Sequence, residues 1–493
     1  NLTVRRSGAA DASDVFSMID DSGTADDGSG VEISGGNLLV DGVNIGSVTN
    51  AGGTLSVNFN ASATDALVGK AMGAVAYRNT SDTPPATVQI NFDLNDRNSN
   101  TTGGGTSGGG QNQGGGGQLT HRASVNVAIT QVNDTPTIAS LDAIRTGNYV
   151  ENGAAVQIDN NVVLTDPELD ASNWKGATLT VSRSGGGNTD DVFGATGSLV
   201  LTPGGAVQLA GVTVGSYTQS GGVLSIAFNA NATATRADQV VQGLTYRNAS
   251  DDPPASVTLT YTVNDQNSNV AGGGVAGTGV NQGTGGRLTV TANTTINITR
   301  SNDAPVLSVA PPAVGYTEQA APVLVDAGLT LSDADDSQMA SATVSIGAGG
   351  FVAGDTLAVN TAGTGITATY NPATGVLTLS GNDSVANYQQ VLRSLSFSST
   401  SDDPTANTTR TGRTLTIAVT DANSDGAGAA TTTTSRNVTL TPVNDTPVIS
   451  GTGSTRSYTE NGAAIALEPG LALSDFDDTQ MDQAIIRIQA GFV

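Results

Sequence analysis

An Asn-Asp-x-Pro signature returns three times along this chain, at Asn133-Asp134-Thr135-Pro136, Asn302-Asp303-Ala304-Pro305 and Asn444-Asp445-Thr446-Pro447. Asn133 and Asn302 stand 169 residues apart, and Asn302 and Asn444 stand 142 apart. Self-similarity at a long period means that one structural unit is repeated, and this constrains the architecture before any local propensity does. The linkers divide the 493 residues into repeat 1 (1–135), repeat 2 (136–304), repeat 3 (305–446) and the start of repeat 4 (447–493). Repeat 1 opens part-way through the unit, because Leu2-Thr3-Val4-Arg5-Arg6-Ser7-Gly8 matches Leu179-Thr180-Val181-Ser182-Arg183-Ser184-Gly185. Start and stop share nearly one phase. Two expectations follow: about three periods cut from something longer, or one unit of a head-to-tail fibre whose broken repeats complete each other.

Within a repeat the pattern is β. Leu329-Thr330-Leu331, Ala342 to Ile346, Gly375 to Leu379, Leu395-Ser396-Phe397, Leu415 to Val419 and Val438-Thr439-Leu440 alternate apolar with small polar residues, between Gly, Asn, Asp and Pro. Alternation of this kind fits strands with one buried face. Several short strands per unit predict an antiparallel seven-strand sandwich. One short helix interrupts each: Ser384 is placed as an N-cap before Val385, Tyr388, Val391, Leu392 and Leu395, and Thr233 and Thr64 start the equivalent stretches. The fold class is all-β, as tandem immunoglobulin- or cadherin-like sandwiches with one inserted helix per repeat.

Composition narrows the function. Net charge is −25, which argues against nucleic acid and anionic membrane surfaces as partners. No apolar run reaches the length of a membrane span. Cys is absent, so disulfides contribute nothing, and with His121 as the one histidine, nucleophile–base pairs and zinc sites are nearly excluded. An enzyme is therefore not expected; His121 reads as solvated. Trp174 reads as core or rim rather than as a sugar platform, and the 4% aromatic content weakens a carbohydrate-binding array as a second alternative. Glu occurs only at 32, 151, 168, 318, 460 and 468 among 44 acidic residues. Three of these, Glu151, Glu318 and Glu460, occupy one repeat position, which suggests that the longer reach matters there.

Strand direction assigns the acids to poles. The Asp clusters (Asp166-Pro167-Glu168-Leu169-Asp170; Asp333-Ala334-Asp335-Asp336; Asp475-Phe476-Asp477-Asp478) and the last-hairpin motifs (Asp96 and Asn98; Asp265 and Asn267; Asp421, Asn423 and Asp425) fall at one pole. The recurrent Glu, the linker Asn133-Asp134, Asn302-Asp303 or Asn444-Asp445, and the Ser-Asp-x-Pro acids Asp82, Asp251-Asp252 and Asp402-Asp403 fall at the other. Stacking repeats brings both poles together at each linker. Crowded carboxylates repel unless a cation sits among them. Calcium accepts 6–8 oxygens from carboxylates, amides and carbonyls, so Ca2+ is the expected cofactor and all of these residues are candidate ligands. Each motif alone has a plain reading as a turn, a cap or a rigid linker.

These residues resemble the calcium motifs of cadherins: Glu151-Asn152 and Glu460-Asn461 its first-strand Glu-Asn, Asp333-Ala334-Asp335 its Asp-Ala-Asp, and Asn302-Asp303-Ala304-Pro305 the end of its linker. With the embedded helix, the chain is similar over its whole length to the cadherin-like repeats of giant acidic bacterial surface adhesins. The pattern departs at Gln131, Arg300 and Pro442, where the linker motif has Asp, and at Gln319 after Glu318. The resemblance implies calcium-rigidified tandem sandwiches displayed extracellularly at the cell surface, as an adhesin shaft, stalk or biofilm-matrix fibre. The partners expected are neighbouring repeats or copies of the chain, with surface polysaccharide or another cell as further candidates. Two Gly-rich inserts, at 103–117 and 272–286, read as hairpin extensions or as lateral contacts between repeats.

Overall fold

The alternating pattern of strands holds in a computed structural model, which describes residues 1–19, 30–98, 117–267, 282–423 and 428–490. Asp425 and most of both Gly-rich inserts lie outside the described residues. The chain groups into two compact units. One holds residues 1–149, 154–248 and 256–297; the other holds 150–153, 249–255 and 298–493.

The second unit contains the fullest view of one sandwich. Its larger sheet runs Val314–Thr317, Thr431–Thr441, Gly412–Asp421, Gln338–Ile346, Val376–Ser384 and Thr367–Asn371 in spatial order. Val323–Leu324, Ser396–Ser399 and Asp355–Ala358 form the smaller sheet. Every second residue of Gly412–Asp421 is buried, as a one-sided strand requires. Leu379, Phe397, Leu415, Ile417 and Val419 share the core between the sheets. The sandwich is not wholly antiparallel: Val314–Thr317 lies parallel to the last strand, in register with Val438 to Thr441. Strand count also exceeds seven, because short pieces such as Val306–Ser308 and Thr330–Ser332 form a separate pair.

The first unit repeats the central arrangement twice. Leu2–Arg6 lies between Thr54–Phe59 and Thr87–Asn95. Thr178–Arg183 lies between Val223–Phe228 and Ser256–Asn264. In the second unit Gln338–Ile346 takes the same place. Three helices recur at one position: Asp65–Gly73, Ala234–Gln242 and Val385–Arg393. Ser384 caps the third, its hydroxyl accepting from the Asn387 amide at 3.1 Å, while Thr233 makes no side-chain cap bond. Tyr388, Val391 and Leu392 bury that helix's apolar face. A fourth helix, Pro167–Ala171, occupies the place expected to be an acidic loop, because Asp166 caps it and Pro167 suits its first turn. Trp174 is fully buried and donates to Asp170 at 2.9 Å, so it belongs to the core. His121 is exposed on the strand Thr120–Ala128.

Scarce arginines are spent inside these cores. Arg6 binds Asp14 through both ends of its fork at 2.7 Å, and Arg183 binds Asp191 likewise at 2.8 Å. Tyr77 and Asn79, or Tyr246 and Asn248, complete each carboxylate. Burial works against the Asp14 charge, but Arg6, Tyr77 and Asn79 outweigh it and hold this carboxyl below its usual range. In the second unit the arginine comes from a different strand: Arg413 reaches Asp355 at 2.6 Å, with both side chains fully buried. Breaking such a pair from one side leaves a buried charge, so Arg413→Met should cost about 3–5 kcal/mol in urea denaturation. The double substitution Arg413→Met with Asp355→Asn should cost less than the single one; equal or greater loss would show that the charge pairing is not what matters here.

Candidate metal centres at the linkers

Each linker is held by side-chain oxygens that accept its backbone N–H groups. Glu151 Oε2 accepts from Ser301 N, and Glu318 Oε2 from Val443 N, both at 2.8 Å. One residue past each linker Asn, Asp335 Oδ2 accepts from Asp303 N and Asp477 Oδ2 from Asp445 N, both at 3.0 Å. Glu168 Oε2 makes the same contact with Asp134 N at 3.4 Å. Three linkers separated in sequence thus share one geometry. The length of Glu at positions 151 and 318 is what lets a strand-end carboxylate reach the linker main chain.

The Asp clusters are shaped by their own first residue. Asp333 Oδ1 accepts from Asp335 N and Asp336 N at 3.2 and 2.9 Å, and Asp475 Oδ1 from Asp477 N and Asp478 N at 3.2 Å each. Asp166 Oδ1 does the same for Glu168 and Leu169. One oxygen folds the loop, and at Asp166 and Asp333 the other is buried without a donor. Glu151, Asp251 and Asp303 each bring an oxygen within 4.8 Å of the other two, as do Asp333, Asp335 and Asp336, and Asp475, Asp477 and Asp478.

Several of the inward oxygens are buried and meet no hydrogen-bond donor: Asn133 Oδ1, Asp166 Oδ2 and Glu168 Oε1 at the first linker; Asn302 Oδ1, Asp303 Oδ2 and Asp333 Oδ2 at the second; Glu318 Oε1, Asp445 Oδ2 and Asp477 Oδ1 at the third. A buried acceptor without a donor costs about 1–3 kcal/mol, more when charged. Four of these carboxyls are pushed upward. Burial pushes Asp166 up to about 6, with the charges of Asp265 and Asp170 adding to the effect. Burial pushes Glu168 up to about 7, helped by Asp166 and Asp134. Asp303 moves up through burial and then the charges of Asp251 and Asp333; Glu318 moves up through burial and then those of Asp445, Asp477 and Asp403. Convergent hard oxygens without donors are the complement of a hard divalent cation, and the donor set fits calcium.

The remaining candidates have other partners. Asp96, Asp265 and Asp421 close their own hairpins: Asn98 N and Leu119 N bond Asp96, Asn267 N and Leu288 N bond Asp265, and Asn423 N and Ala430 N bond Asp421. Asp265 and Asp421 also accept from the linker amides Asn133 Nδ2 at 2.6 Å and Asn302 Nδ2 at 2.9 Å. They orient the Asn so that its Oδ1 faces the cluster, a pairing that sequence reasoning did not see. The repeated linker Asn, always in step with a hairpin Asp, was the available signal. Asn267 donates to Gly283 O, and Asn423 accepts from Gly428 N. In Ser-Asp-x-Pro the serine forms the plain turn: Ser250 Oγ accepts from Asp252 N and Ser401 Oγ from Asp403 N. Asp252 pairs with Arg300 at 3.4 Å, and Asp403 binds the Asn407 amide. Asp82, Asp170, Asp402, Asn444, Glu460 and Asp478 are exposed.

No family model matches the chain. A stretch of 136 residues is 35% identical to halomucin of Haloquadratum walsbyi, covering 26% of this chain. The chain spans 2% of that protein's length. Among solved structures, the chain is similar to protocadherin gammaB7 EC3-6 in a cis-dimer structure, at 11% identity and a TM-score of 0.28, covering 96% of this chain and 77% of that one. It is also similar to mouse protocadherin-24 EC1-3, at 11% identity and a TM-score of 0.24, covering 88% and 92%.

The raised carboxyls carry a signed prediction. A group whose acid form is favoured by folding destabilises the folded state once it is charged. That burden is absent below about pH 4, where folded and unfolded carboxyls are both protonated, and complete above about pH 7. In chelator at pH 8, Glu168→Gln keeps an acceptor for Asp134 N and should raise stability by about 2 kcal/mol, a gain that fades as pH falls from 7 to 4. In excess calcium the same substitution should destabilise. An effect of one sign in both media, read by thermal denaturation, would contradict a cation among these oxygens.

Proposed function

We propose that this chain is an extracellular repeat protein whose β-sandwiches are stiffened by calcium at the linkers, serving as an adhesin shaft, surface stalk or biofilm-matrix fibre. The observation that carries the reading is the divided carboxylate, with one oxygen fixed on the linker N–H and the other buried without a donor, as seen in Glu168, Glu318 and Asp477. Asn302, Asp303, Asp333 and Asp335, with Glu151 and Asp251, would hold the cation at the second linker. Asn133, Asp134, Asp166 and Glu168 would do so at the first, and Glu318, Asp445, Asp475 and Asp477 at the third. A bound cation supplies charge neutralisation. The chain's own groups orient the oxygens, exclude water and fix the linker main chain. The halomucin likeness agrees with a location outside the cell. No described helix is long and apolar enough to cross a membrane.

A second reading, a filament of copies joined head to tail, draws on residues 447–490. Leu471, Leu473, Ile486 and Ile488 are 51%, 46%, 91% and 69% exposed there, while their counterparts Leu329, Leu331, Val344 and Ile346 are buried. Exposed apolar residues gathered in this way suit a contact surface, and this reading names a second copy of the chain as its occupant. The carbohydrate-binding reading loses its best residue, since Trp174 is fully buried.

Calorimetry tests the primary reading. Calcium at a thousandfold excess over its dissociation constant is worth about 4 kcal/mol to a single-site folded state. The unfolding temperature should then rise by roughly 10 °C over the chelated protein, and Asp333→Ala should remove much of the second unit's share. A melting profile indifferent to calcium and chelator would refute the proposal.

A further inference from the structure

At the first and second linkers alike, the Asn side chain bonds a hairpin Asp and a cluster carboxylate takes the linker Asp N–H, but the two differ in main-chain support. At the first, the end of the Gly-rich insert in repeat 2 folds back on the linker from repeat 1. Val132 and Thr284 form a parallel bridge. Asn133 N donates to Thr284 O at 2.7 Å, and Thr284 N donates to Gln131 O at 2.9 Å. Asn133 Nδ2 reaches Gly286 O at 3.0 Å. Gln282 is fully buried beneath the contact, donating to Asp265 O at 3.0 Å. Gly283 is required by close approach as well as by conformation: its φ is +94°, and a Cβ there would lie 2.6 Å from the Gln131 carbonyl. At the second linker the hairpin is shorter. Gly428 N and Ala430 N are used within it, on Asn423 and Asp421, and no bridge to residues 300–305 forms among the described residues.

Net charge does not separate the two linkers: the second has Asp252 and Asp336 where the first has Thr83 and Leu169, but also Arg300 and Ser337 where the first has Gln131 and Asp170. What separates them is main-chain support. The bonds through Thr284 hold the first linker by protein contacts, while the second has no such bridge among the described residues and relies on its crowded side chains.

We propose that the two linkers answer differently to cation withdrawal. Residues 282–288 clasp the first linker closed without calcium, while the second linker, 300–305, loosens when calcium is removed. Falling calcium would then loosen the chain between repeats 2 and 3 while the first linker keeps repeats 1 and 2 joined. This inference rests on the calcium reading and adds an order to it.

Amide hydrogen exchange on the full chain, in excess calcium and in excess chelator, reads both linkers at once. Chelation should speed exchange at Ser301 and Asp303 by at least about tenfold and leave Asn133 and Thr284 nearly unchanged. Gly283→Ala should make Asn133 and Thr284 calcium-dependent in turn; Asn133→Ala, which removes the side-chain bond while sparing Gly283, should weaken protection there less. Equal acceleration at both linkers in the unmodified chain would overturn the clasp while leaving the calcium reading intact. No acceleration at either would overturn both. Loss of protection throughout the Gly283→Ala chain, in calcium as well as chelator, would mark a folding defect, and the comparison within the unmodified chain would then decide alone.

Discussion

Carboxylates gathered where a backbone must be held, without enough cations of the chain's own to balance them, set the terms for this molecule. Lys and Arg number 19 against 44 acidic residues. The arginines that make the best geometry are committed inside the sandwiches, on Asp14, Asp191 and Asp355, where each completes a buried carboxylate. At the linkers the main described cation is Arg300, 3.4 Å from Asp252. Backbone N–H groups of the linkers meet one oxygen of Glu151, Glu168, Glu318, Asp335 and Asp477. The other oxygen of Glu168, Glu318 and Asp477 is buried without a donor. Arginine thus completes carboxylates within the sandwiches, and acidic side chains hold the main chain between them.

Much of the architecture was legible because period-2 patterning and turn residues act locally. Gly412–Asp421 and Ser256–Asn264 alternate in the sequence and alternate in burial. Ser384 was readable as a cap because its side chain needs only the next turn. The parallel pairing of Val314–Thr317 with the last strand was not readable, since it depends on an edge made by residues more than a hundred positions away. The helix Pro167–Ala171 was hidden for a different reason. Asp-Pro-Glu is both an acidic loop and a good helix start, and only the fully buried Leu169 in the place of Asp336 favours the helix.

The candidate sites were legible as composition and illegible as geometry. Repetition of Glu151, Glu318 and Glu460 marked one position in the sequence, and at Glu151 and Glu318 the side chain's length is used on Ser301 and Val443. The hairpin acids were expected to face the cluster with the others. Asp265 and Asp421 also accept several N–H groups and steer the linker Asn, a second role that their spacing did not announce. Sequence alone could not separate a carboxylate that closes a turn from one that faces a cavity, because both use Asp at the same spacing. The clasp of residues 282–288 was foreshadowed only as a lateral role for Gly-rich inserts. Its target, the preceding linker, followed from the absence of a side chain at Gly283.

The most direct measurement is anomalous diffraction from crystals of the chain grown in calcium. Peaks should appear at all three linkers. At the second, the ion should lie about 2.3–2.6 Å from Asn302 Oδ1, Asp303 Oδ2 and Asp333 Oδ2. Well-ordered crystals in which these oxygens surround only water, or turn outward to solvent with no anomalous signal, would contradict the account.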